Sequence, residues 1–104
     1  MAEAEAANWT SLTNHAQVLL CIADDPGIRL REIGERVGIT ERAAHRIVVE
    51  LEASGYVRRR REGRRNRYTI NAQRRLPDAI ANGQRVGDLL ALLEQAPART
   101  TRSR

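Results

Sequence analysis

Read as apolar and polar positions, the chain runs through three helical stretches and then changes period. After Thr13, a residue suited to capping, NHAQVLLCIADD carries Ala16, Leu19, Leu20 and Ala23 at helical spacing, and Asp25-Pro26-Gly27 closes it with a turn. LREIGERV predicts a second, short helix with Ile33 and Val37 on one face and Gly38 as its left-handed stop. GIT is a three-residue turn, and Thr40 caps a third helix, ERAAHRIVVELEAS, which Gly55 ends. Its stripe is Ala44, Val48 and Leu51 with Ile47 beside it. Strand-like segments follow over Tyr56–Arg61 and Asn66–Ile70, joined through Glu62-Gly63-Arg64-Arg65, with Gly63 supplying the positive φ of a hairpin loop. Residues 71–82 contain Pro77 and little periodicity, which reads as a linker. QRVGDLLALLEQ then places Val86, Leu89, Leu90 and Leu93 at i, i+3, i+4 and i+7 of a last helix.

The expected organisation is a frayed tail over 1–8, a folded domain over 9–70, a linker over 71–82, a helix over 83–95 and a basic, disordered tail over 96–104. The fold class is mainly α with a small β-hairpin. With no Phe and only Trp9, Tyr56 and Tyr68 as aromatics, the core must be aliphatic.

Charge changes the picture more than composition does. Residues 1–57 carry five Arg against nine acids, and residues 58–104 carry thirteen Arg against four, for a net charge of +5. All eighteen basic residues are Arg, whose planar fork of donors suits phosphate oxygens and guanine edges. Seven of them fall between Arg58 and Arg67, inside the hairpin, where self-repulsion calls for an anionic partner.

Helix, helix, three-residue turn, helix and basic hairpin form one constellation. With Ala44, Val48 and Leu51 inward, the third helix turns Arg42, Ala43, His45, Arg46 and Val49 outward, toward a major groove ~12 Å wide. Ala43 leaves room for close approach, and Thr40 stands at the helix N-terminus, where free N–H groups meet a phosphate. Gly34 has a packing reason to be in a helix interior, since Gly costs ~1 kcal/mol there relative to Ala. The hairpin becomes a wing, with Arg58, Arg60, Arg64, Arg65 and Arg67 holding backbone phosphates or entering a minor groove.

LTNHAQVLLCIADDPGIRLREIGERVGITERAAHRIVVELEASGYVRRRREGRRNRYTI resembles the winged helix-turn-helix regulators described as MarR-like or ArsR-like. It is most similar to short actinobacterial members, through LTNHA…VLL, GITERA, RIV…LE…GY and R.GRRN.Y, and the resemblance covers 9–70 and continues into VGDLLALL. It implies a homodimer joined through the first and last helices, Val86, Leu89, Leu90 and Leu93 among them, that binds double-stranded DNA. A two-fold dimer implies half-sites about one helical turn apart. Two positions depart from the family pattern: Arg29 stands where Ser or Thr usually caps the second helix, and Glu41 is acidic at the DNA-facing helix end. At 104 residues the chain is also shorter than regulators whose flanking helices enclose a ligand, which argues against a dedicated small-molecule site and names no effector.

The expectation is therefore a cytoplasmic, sequence-specific transcriptional regulator, a repressor rather than an activator. Its rivals are a low-specificity architectural DNA binder and a winged-helix module for protein docking. No nucleophile–base pair, phosphate-binding glycine loop or metal-ligand spacing points to an enzyme, a cofactor or a metal. Cys21 lies in an apolar stretch as a core thiol, and no stretch reaches the ~20 apolar residues of a membrane span.

Overall fold

The computed structural model describes residues 7–94. Across them the chain folds as α1 (Asn14–Asp24), α2 (Leu30–Val37), α3 (Glu41–Ala53), a hairpin of β1 (Val57–Glu62) and β2 (Arg65–Ile70), a 3-10 turn (Ala79–Ala81) and α4 (Val86–Glu94). Four helices and one antiparallel hairpin make the winged helix fold expected. The tails expected over 1–8 and 96–104 fall largely outside the described residues.

Local chemistry sets the helix ends. Thr13 Oγ1 accepts from the Ala16 N–H at 3.1 Å, and Asp25 Oδ1 accepts from the Gly27 N–H at 3.1 Å to shape the turn after α1. Thr40 repeats the cap at α3, accepting from the Ala43 N–H at 3.0 Å. At α2 the cap position holds Arg29, which has no acceptor to offer. Instead Glu32 Oε1 accepts from the Arg29 N–H at 2.9 Å, the returning half of a capping box.

The buried face of α1 differs from the expected stripe. Val18, Leu19, Cys21 and Ile22 are buried, while Leu20 and Ala23 are only partly so. Both sets have helical spacing within VLLCIA, so periodicity alone does not choose between them; the face with Val18 and Ile22 fills the core against α3 and the wing. On α2 and α3, Ile33, Ala44, Ile47, Val48 and Leu51 are buried as expected.

Gly34 explains how α2 and α3 meet. A Cβ there would lie 2.7 Å from the Ile39 carbonyl oxygen and 3.3 Å from the Thr40 carbonyl carbon. The turn folds back over this bare backbone, and Gly38, at φ +88°, and Ile39 both donate to the Gly34 carbonyl at 2.8 and 2.9 Å. The close approach is therefore to the turn and the start of α3.

The hairpin is one residue longer at its tip than expected, pairing Glu62 with Arg65 across Gly63-Arg64, and Val57 rather than Tyr56 opens β1. Tyr68 is buried, and its N–H donates to the Pro26 carbonyl at 2.9 Å, fastening β2 to the α1–α2 turn. Residues 71–82 return the chain to the core: the Val86 N–H donates to Arg74 O and the Leu76 N–H to Gln84 O, each at 2.9 Å. Tyr56 Oη anchors the same segment by donating to Arg75 O at 2.7 Å. Val86 and Leu90 of α4 complete the core. None of the described helices is long and apolar enough to cross a membrane.

Candidate nucleic-acid interface

The outward face of α3 is built as the pattern required. Arg42, His45, Arg46 and Val49 are exposed and Ala43 is half-buried. Thr40 uses a lone pair for its cap, so its hydroxyl proton stays available to an acceptor. Arg42 and His45 make no side-chain hydrogen bond or ion pair among the described residues, whereas Arg46 lies 3.7 Å from Glu50 of the next turn.

In the wing, the register sorts the arginines. Alternation puts Arg58, Arg60, Arg65 and Arg67 on one face with Glu62, and Arg59 and Arg61 on the face of Val57 and Tyr68. Arg60 stands directly opposite Arg67, a like-charge pair that costs stability. Glu62 relieves it, with Oε2 at 3.4 Å from Arg60 and Oε1 at 3.9 Å from Arg67. Arg59 is spent differently: its Nε lies 3.2 Å from Glu52, bracing the wing against α3, and Arg61 Nε donates to Gly63 O at 3.1 Å across the tip.

Four of the arginines without a carboxylate partner among the described residues lie together. A cleft of about 380 Å³ between the wing tip and the start of α2 is lined by Arg29, Arg31, Arg64, Arg65 and Glu41. Among the described residues none of these four guanidinium groups has an ion pair, and Arg65 only donates to Gly27 O at 3.5 Å. Glu41 also lines the cleft without an ion pair. Four cations without an ion pair and one carboxylate thus line this open cleft, a balance of charge that suits an anion.

Arg29 and Arg31 were not among the candidates drawn from the sequence. One signal for them existed: Arg29 occupies a cap position where its side chain cannot cap. Of the candidates, Thr40, Arg42, Ala43, His45 and Arg46 share the α3 face. Arg64 and Arg65 converge on the cleft, Arg58 is exposed on β1, and Arg60 and Arg67 are held by Glu62.

On α4, Val86 and Leu90 are packed in the chain's own core. That redraws the outward face as Leu89 and Leu93, half-buried, with Leu92 68% exposed. Leu89 also forms one wall of an apolar groove of about 640 Å³ that runs past Leu12, Ala16, Leu51 and Leu76, with His15 and Glu50 on its lining. Burial pushes the Cys21 thiol above its ordinary pKa, with Arg36 opposing and Asp24 adding to the shift. It therefore stays protonated near neutrality, as befits a core thiol.

The model of the MarR family matches residues 11–67 of the chain. Among solved structures, the PcaV transcriptional regulator from Streptomyces coelicolor is 24% identical over 82% of this chain and 61% of its own, with a TM-score of 0.52. The Mycobacterium tuberculosis MarR family protein Rv2887, in complex with salicylic acid, is 24% identical over 88% of this chain and 71% of its own, also at 0.52. These similarities establish the fold, and the chain spans 61% of the length of PcaV. No curated protein matches it.

Proposed function

The chain belongs to the MarR family, and from that premise we propose that it is a cytoplasmic, homodimeric transcriptional repressor that reads a pseudo-palindromic site in double-stranded DNA. It has no catalytic step to perform. The observation that carries this reading is the partition of its arginines. Among the described residues, Arg36, Arg46, Arg59, Arg60 and Arg67 have carboxylate partners, whereas Arg42 on α3, Arg58 and Arg61 of the wing, and Arg29, Arg31, Arg64 and Arg65 around the cleft have none, and neither do Arg74, Arg75 and Arg85 beyond the wing. Arg42 on the α3 face and the arginines beside the wing tip, left without a carboxylate among the described residues, suit a partner that brings its own negative charge.

In this reading Arg42, His45 and Arg46 address base edges in the major groove, with Ala43 allowing α3 to seat deeply. Thr40, Arg29, Arg31, Arg64 and Arg65 hold phosphates, and Arg58, Arg60 and Arg67 add to the field of the wing. The dimer forms through α4 by Leu89, Leu92 and Leu93, and two copies of α3 reach successive major grooves.

Selection of tight binders from a pool of random duplexes tests the proposal. The expected product is a pseudo-palindrome with half-sites about one helical turn apart. Recovery of sequences with no shared pattern would point to backbone binding alone.

A further inference from the structure

Glu50 is a shared carboxylate. One oxygen lies 2.7 Å from His15 Nε2 on α1 and the other 3.7 Å from Arg46 Nη1 on α3. Among the described residues, it is the only carboxylate paired with Arg42, His45 or Arg46. His15 and Glu50 both line the apolar groove, and Asp78 is the other acid there. A single side chain thus joins the groove to the outward face of α3, across 35 residues of sequence.

We propose that Glu50 is the positioning residue for Arg46, and that His15 fixes Glu50 in the rotamer that does so. The proposal rests on the reading of Arg46 as a base-contacting residue. A free arginine on a helix surface samples many rotamers, and its fork discriminates guanine only when its plane is aligned with the base edge. One carboxylate oxygen beside Nη1 narrows that sampling, and the short contact to His15 keeps the carboxylate from swinging away. The arrangement is a relay of orientation: groove residue, carboxylate, reading arginine.

Both contacts are half-exposed and screened, so the effects are modest: exposed pairs of this kind are worth about a two-fold change in an equilibrium. The test is the ratio of affinities for a selected site and for the same site mutated at the base that Arg46→Ala ceases to distinguish. His15→Ala and Glu50→Gln are each expected to lower that ratio about two- to three-fold. His15→Gln, which retains a donor, is expected to restore it. None of these effects should appear in an Arg46→Ala background. Glu50→Gln also removes a negative charge near the DNA and should tighten binding to every sequence, which the ratio cancels. His15→Ala leaves that charge in place, so it separates positioning from simple electrostatics. An unchanged ratio in both variants, or equal changes with and without Arg46, would overturn the proposal. If Arg46→Ala itself distinguishes every base as wild type does, the base-reading role of Arg46 fails first, and the positioning role falls with it.

Discussion

Replacing Gly34 with Ala sets two effects against each other, and the structure decides the sign. Helix propensity alone favours Ala by ~1 kcal/mol in the interior of α2. Yet a Cβ at Gly34 would stand 2.7 Å from Ile39 O, with Thr40 C at 3.3 Å and Glu41 N at 3.4 Å. These are backbone atoms of the turn, unable to swing aside as a side chain would. They must retreat by several tenths of an ångström, stretching the Ile39 N–H bond to Gly34 O at 2.9 Å. Overpacking of this kind costs ~1–3 kcal/mol, and the weakened hydrogen bond up to ~1 more. A 2.7 Å approach to backbone puts the overpacking in the upper part of that range, ~2–3 kcal/mol, so subtracting the propensity gain leaves a net destabilisation of ~1–3 kcal/mol, a fall in Tm of roughly 5–20 °C for a domain of this size. Thermal melts and urea titrations of Gly34→Ala against wild type measure it. The same displacement moves Thr40 and the start of α3, so the surviving folded protein should also discriminate DNA sequences less well. A variant as stable as wild type, or more so, would refute the reasoning, because that is what propensity without the close contact predicts.

Arg46→Ala is expected to relax base preference at one position per half-site by ~1–3 kcal/mol in binding assays. Arg64→Ala or Arg31→Ala should instead weaken all sequences alike and reduce the salt slope by about one. Arg59→Ala, whose partner is Glu52, should leave that slope nearly unchanged while costing up to ~1 kcal/mol of stability in a urea titration. Leu92→Asp with Leu89→Asp should sediment as a monomer if α4 is the dimer seam; an unchanged dimer would place the seam elsewhere.

The helix boundaries were legible because their signals are local. Thr13, Thr40 and Gly38 mark ends that depend on no distant partner, and LREIGERV matches α2 residue for residue. The buried face of α1 was not, because VLLCIA presents apolar residues all round and tertiary packing selects among them. The wing was legible as a hairpin, but its register was not: in a run of arginines a one-residue slip exchanges the two faces without changing the sequence pattern. Only the pairing of Arg59 with Tyr68 shows which arginines turn toward α3 and which away. The cleft with Arg29 and Arg31 depends on the hydrogen bond from Tyr68 to Pro26, and the Glu50 link on a contact between α1 and α3. Neither has a signature in sequence spacing. On α4 the stripe Val86, Leu89, Leu90 and Leu93 marked the apolar residues, but the core takes Val86 and Leu90 and leaves Leu92 outward.

The central claim, that α3 reads bases while the arginines of the wing and cleft hold the backbone, is tested most directly by fluorescence anisotropy over a salt series. The duplexes are the gene's own upstream DNA and a shuffled control of equal composition. The account predicts much tighter binding to the upstream DNA, with steep salt dependence for both. Equal affinity for both duplexes, or no binding to either at low salt, would contradict it.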